Sequence, residues 1–488
     1  MMSRYHAKTK PAPQGIRMRL HLRAIAVAAT IALTGCSVGP PYRHPESALP
    51  AHWRETDSTA AIWPTTDWWR GFNDPQLDAL IARAESQNLN LAAAVARVRE
   101  ANADTRIAGA ALLPSIGATA EGTQARTVSP LTPTAYDYHE FDLGVNASYE
   151  IDFWGENRAA LQAAKASAAA ARYDQQVIAL ATVSGVASTY FQALGLRDEI
   201  AVAENNLTQA EQMLAGIHAE FNVGTVAELN IVQQETVVDS LRASIPPLRQ
   251  QLAETLDALA ILEGENPENI KLGPRTLLDL AMPAVAPGLP AALLERRPDV
   301  QEAEANLIAA NADIRVARAE FFPSVTLTGE GGMETLGLAA FSPPTAVSAL
   351  AAAVTAPIFE GGRLRGQLEY SKARYTELLD DYRQSIISAL GNVEDALAGV
   401  HQTGEQLGDE TATVGTARQS YQISEALFQG GTADMVNVLT AEAALFGADQ
   451  TLVQVRLAHA QALVSLFQAL GGGWKGGSVQ EAVAGQRA

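Results

Sequence analysis

The chain contains one cysteine, and its neighbours indicate what that thiol does. Cys36 follows Leu33-Thr34-Gly35 at the end of an apolar run from Ala24 to Leu33, which is itself preceded by Arg4, Lys8, Lys10, Arg17, Arg19 and Arg23. A basic region, a short apolar run and small residues before a cysteine resemble a bacterial lipobox, where the chain is cut and the thiol acylated. Residues 1–35 are then expected to be a signal peptide with an apolar run too short to cross a bilayer. Ser37 after the cysteine resembles a signal for the outer membrane. No second cysteine is present, so a disulfide within the chain is excluded.

Other residues that might be read as chemistry have a plainer reading in their spacing. His6, His21, His44, His52, His139, His218, His401 and His459 are scattered and never pair on one helical turn as metal ligands do. No phosphate loop, dinucleotide fingerprint or nucleophile elbow occurs. Gly471-Gly472-Gly473 lacks the Lys-Ser/Thr of a phosphate loop and reads as a helix C-terminus. Arg296-Arg297-Pro298-Asp299 offers an anion two guanidiniums, yet proline with an acid behind it is how a helix starts. The expectation is therefore no enzyme, no cofactor and no metal centre. The net charge of −19 falls to −25 from Cys36 onward, because no acid precedes that residue. Such a surface argues against nucleic acid.

The elements that must position any site occur twice. Ala101–Gly122, ANADTRIAGAALLPSIGATAEG, matches Ala310–Gly331, ANADIRVARAEFFPSVTLTGEG, 209 residues later. Each is a helical pattern that stops at a proline, Pro114 or Pro323, and becomes an alternating one. Phe153 and Gly155 answer to Phe359 and Gly361, and FNVGTVAELNIVQQE from Phe221 answers to FQGGTADMVNVLTAE from Phe428. The chain is a tandem duplication in which each half runs helix, strand pair, long helix, glycine turn, helix. The expected divisions are a lipidated tether over 36–74 and a first repeat over 75–263 with strands near 114–153. A linker over 264–290, a second repeat over 291–471 with strands near 323–359, and a tail over 472–488 complete them.

From Phe141 to Phe153 the odd positions are apolar or small and the even ones polar, which predicts a strand with one oily and one wet face. A soluble β-layer has that pattern, and so does a membrane barrel with a polar lumen. Little globular core flanks these strands, which favours the barrel. After Gly155 and again after Gly361 a helical pattern runs unbroken to Phe221 and Phe428, about 100 Å each. Ile200, Ala203, Leu207, Ala210, Leu214, Ile217 and Phe221 form a heptad seam. A return helix of about 36 residues should follow each glycine turn, the first broken or kinked at Pro246-Pro247.

Val38-Gly39-Pro40, Trp68-Trp69 with Asp74-Pro75, YEID with Trp154-Gly155, LERRPDV from Leu294, Phe321-Phe322-Pro323-Ser324 and PIFEGGRLR from Pro357 together resemble the TolC-like outer membrane factors, lipoprotein branch. The resemblance covers nearly the whole chain after Cys36. It implies a homotrimer, mostly α, with four strands per chain closing one twelve-stranded membrane barrel above a periplasmic coiled-coil tunnel. The implied work is that of a passive export duct in a tripartite efflux pump, lipid-anchored in the outer membrane and docked on a periplasmic adaptor and inner-membrane transporter. The alternative is a structural periplasmic coiled-coil lipoprotein without a channel.

On that resemblance the turns bearing Gly224, Thr225, Gly431 and Thr432 are the periplasmic tips that meet the adaptor; read from the residues alone they are helix-hairpin punctuation. Where the family often carries acidic rings at its constriction, this chain has Asn230, Asn437 and Thr440. Glu228 and Asp434, nearer the tips, either gather six carboxylates around the mouth of a trimer or simply favour the first turns of their helices. Phe221 and Phe428 complete the candidate constriction.

Overall fold

The computed structural model describes residues 38–46, 49–54, 61–128, 135–288, 290–336 and 345–474. Cys36 and Ser37 lie outside them. In chain order the elements are β1 (Ala61–Ile62), α1 (Pro75–Gln87), α2 (Leu89–Ala110), β2 (Ser115–Val128), β3 (Ala135–Glu150), α3 (Glu156–Asn222) and α4 (Glu228–Glu263). There follow β4 (Ala286–Pro287), α5 (Pro290–Leu293), α6 (Pro298–Ala319), β5 (Ser324–Leu336), β6 (Thr345–Thr355), α7 (Arg363–Gln429) and α8 (Met435–Ala469). The long helices α3 and α7 have 67 residues each and the return helices 36 and 35. Of the expected kink or break at Pro246-Pro247, the break is absent: α4 is continuous through both. Both prolines are exposed, so water can serve the carbonyls that lose their donors, while Ile245 before them is buried.

Two compact units result, and each draws on both repeats. The first, formed by the described residues within 38–44, 101–167 and 306–379, contains a four-stranded antiparallel sheet in the order β2-β3-β5-β6. Its register pairs Leu143 with Ala120 and Met333, and Asp142 with Glu121 and Glu334, so like faces like across β2, β3 and β5 at these positions. Leu143, Val145, Leu350 and Val354 are all more than half exposed. β2 and β6 each pair on one side, leaving two open edges. Near the strand ends, Trp154 stacks on Phe322 at 4.6 Å and donates from Nε1 to the Pro323 carbonyl at 2.8 Å. Asp152 accepts from the Asn157 and Arg158 amides and starts α3.

The second unit, formed by the described residues within 45–100, 168–305 and 380–474, has the larger core. Trp68 stacks on Phe467 at 4.7 Å, and Phe72, Leu77, Tyr190, Phe191, Leu259 and Leu463 join them. The Trp-rich tether therefore packs on the helices through Trp68, and buried Trp53 donates to the Gly288 carbonyl. Asp74 caps α1 by accepting from the Gln76 and Leu77 amides and also receives the Tyr190 hydroxyl at 2.9 Å. The linker inserts Ile270, Leu277 and Leu280 into this core and joins β4 to β1.

Candidate functional site

The helix reversals at the ends of α3 and α7 are built the same way. Gly224 and Gly431 have φ of 82° and 72°, a left-handed backbone that a β-carbon opposes. Gly224 N–H donates to the Phe221 carbonyl and Gly431 N–H to that of Phe428, both at 2.9 Å. The next residue closes the cap twice over. Thr225 donates its N–H and hydroxyl to the Glu220 carbonyl at 3.0 and 2.8 Å, and Thr432 does so to Leu427 at 2.9 and 3.0 Å. This is a helix C-terminal motif in which the Gly supplies the turn and the Thr satisfies the orphan carbonyl.

Behind the turns Ile217, Ile231, Met435 and Val438 form a small apolar core, with Val226, Tyr421 and Phe428 packed on it. The two candidate constriction phenylalanines thus part company: Phe428 belongs to this core, while Phe221 is 42% exposed. Glu228 is exposed in the first turn of α4, and Asp434 is exposed at the N-cap position of α8 without accepting a side-chain hydrogen bond there. Asn437 is exposed and Asn230 half-buried; Thr440 donates its hydroxyl to the Val436 carbonyl at 2.7 Å, within its own helix.

Arg297 is not a ligand site. It is buried, donates to Asp299 and reaches the Ala469 carbonyl at 2.9 Å, tying the start of α6 to the end of α8. The other repeat does the same with an amide, Asn88 donating to the Leu262 carbonyl at 2.7 Å. Gly264 and Gly471 end the two return helices with φ of 70° and 83°. A β-carbon there would lie 2.4 Å from the Gln87 carbonyl and 2.1 Å from that of Arg296. The glycine run beginning at Gly471 is a helix end.

Two groupings were not legible beforehand. The sheet register gathers Glu140, Asp142 and Glu334, whose oxygens lie within 4.8 Å of one another on the wet face; nothing else points to an ion there. In the helical unit Gln234 and Glu442 are fully buried and adjoin one another. Their positions in the heptad pattern, between Ile231 and Val238 and between Val438 and Leu445, were the available signal.

With strands, duplicated helices and reversals in place, the family model described as outer membrane efflux protein matches in two stretches, residues 80–265 and 289–472. The chain belongs to the outer membrane efflux protein family. Over 457 residues it is 36% identical to the pyoverdine export outer membrane protein OpmQ of Pseudomonas aeruginosa, covering 92% of this chain and 96% of that one. It is 30% identical over 451 residues to the cation efflux system protein CusC of Escherichia coli strain K12, covering 91% and 97%. The solved outer-membrane channel OprN superposes with a TM-score of 0.84 at 27% identity, covering 90% of this chain and all of that one. The protein is accordingly an efflux channel component of the outer membrane, with the four long strands as its membrane part and the long helices as its periplasmic part. The resemblance read from its motifs is borne out.

Proposed function

We propose that three copies join edge to edge, β6 of one to β2 of the next, to close a twelve-stranded barrel that serves as a passive export duct. One observation carries this: four strands with two open edges, an exposed oily face and a wet one. A sheet of that kind in hydrocarbon must satisfy its edges with further strands, and four are too few to close on themselves. The tips at Gly224-Thr225 and Gly431-Thr432 dock a periplasmic adaptor that connects to an inner-membrane transporter, and Cys36 carries the lipid anchor. The cargo is set by the transporter: relatives 30 to 36% identical to this chain are named for pyoverdine, toluene and cations.

The test is to purify the protein in detergent and record it in planar bilayers. Stable trimers that conduct ions support the duct. A monomeric protein that is soluble once delipidated would instead be a structural coiled-coil lipoprotein. Deletion followed by a panel of antibiotics, detergents, siderophores and metal salts then identifies the cargo class.

A further inference from the structure

Between the apolar core behind the tip turns and the next one along the helices lies a single polar layer. Ile231, Met435 and Val438 belong to the first core, and Ala210, Val238, Leu445 and Phe446 to the second. Gln234 stands between Ile231 and Val238 on α4, and Glu442 between Val438 and Leu445 on α8; both side chains are 0% exposed. Gln234 donates from Nε2 to the Ala210 carbonyl of α3 at 3.2 Å and to Glu442 Oε2 at 3.4 Å. The amide oxygen of Gln234 and the other carboxyl oxygen of Glu442 are both buried without a partner. An ionised carboxylate so placed keeps one long hydrogen bond and no cation. A protonated one can give its O–H to the bare amide oxygen and satisfy both orphans at once.

The surroundings reinforce this. Facing Glu442 are Gln234 from α4, itself held by the Ala210 carbonyl of α3, and Tyr421 and Glu425 from α7; none of these is a cation. Arg418, on the same helix as Tyr421, is occupied with Asp449. The duplication offers a comparison, since the counterpart of Glu442 in the first repeat, Glu235, is exposed. Only one copy was turned inward.

We propose that Gln234 and Glu442 form a proton-operated latch in the helical wall, closed when Glu442 carries a proton and loosened when it ionises. The layer lies ten and eleven residues from Gly224 and Gly431, about 15 Å of helix. Loosening it frees the return helices just behind the tips. Burial raises the Glu442 carboxyl from 4.5 to about 7, with the Gln234 amide opposing. In an opened, solvated layer it titrates near 4.5. The latch is therefore fully stabilising below about pH 4.5, weakens as pH rises to about 7, and loses nothing further above that.

Hydrogen exchange of the intact protein in detergent, corrected for intrinsic exchange, tests this on the amides of residues 228–245 and 435–450. Protection in the wild type should fall by up to tenfold per pH unit between about pH 4.5 and 7 and then level off. Glu442→Gln should remove that dependence while α1 and the core around Phe467 exchange as before. Gln234→Met keeps the acid but removes the amide oxygen that takes its proton, a larger loss than the 3.4 Å bond the ionised form keeps, and should move the levelling point to lower pH. Identical pH profiles in the wild type and Glu442→Gln would overturn the latch and leave the layer a fixed register device of the coiled coil. Should Glu442→Gln not assemble, an unmoved profile in Gln234→Met overturns it equally.

Discussion

Arg296 and Arg297 are neighbours of identical type with opposite employment. Arg297 is buried and holds the Ala469 carbonyl and Asp299, whereas the Arg296 guanidinium lies 4.4 Å over the half-buried ring of Trp63. Arg297→Ala should lower the thermal midpoint of assembly by the equivalent of about 1 to 3 kcal/mol, since it leaves the buried Ala469 carbonyl without its donor. Arg296→Ala should cost about 0.5 to 1 kcal/mol. Equal losses in thermal dissociation followed by gel would refute the assignment. Residue by residue, the motif LERRPDV is a joint that fastens one return helix to the next ascending one.

At the level of elements, the reversals and the first turns of the return helices are the segments proposed to act as the docking tips. Gly224→Val and Gly431→Val force a β-branched residue into a left-handed backbone and should abolish export while trimers still form. Gly216→Ala is the control: it sits inside α3 with open space at its β-position and should be neutral or stabilising by up to about 1 kcal/mol. Normal export by the turn variants in a susceptibility assay would remove docking from these turns. Glu228 and Asp434 are both exposed, and neither caps by a hydrogen bond in the way a serine or aspartate often does. Neutralising both should reduce cation preference in single-channel recordings, more so at low salt, and more than Asn230→Ala or Asn437→Ala. If selectivity is unchanged, the two acids serve only the helix dipoles.

For the whole molecule, the barrel's oily face is one attachment to the membrane, and the lipid proposed for Cys36 is a second. Either is a membrane signal in its own right, and the barrel is the stronger because its strands present exposed Leu143, Val145, Leu350 and Val354 to hydrocarbon. Cys36→Ala behind an alternative signal peptide should therefore lower the yield of trimer and leave some that functions. Fractionation and bilayer recording check it; complete loss of membrane-embedded protein would make the lipid indispensable.

Periodicity and duplication were enough to read the long helices, the strand pairs and the reversals, because each depends on local backbone preferences that neighbouring residues express. The alternation from Phe141, the stop at Pro323 and the Gly-Thr turns needed no partner from elsewhere in the chain. Long-range placement decided the rest. Pro246-Pro247 signalled a kink or break, yet α4 runs through both, with Ile245 buried beside them. The paired phenylalanines Phe221 and Phe428 are indistinguishable in the repeat, but one entered a core. Glu235 and Glu442 occupy one position of the duplicated motif, and only tertiary packing left the first in water and buried the second against Gln234, 208 residues away. A repeat specifies the same local geometry twice; the environment of each copy comes from segments that differ.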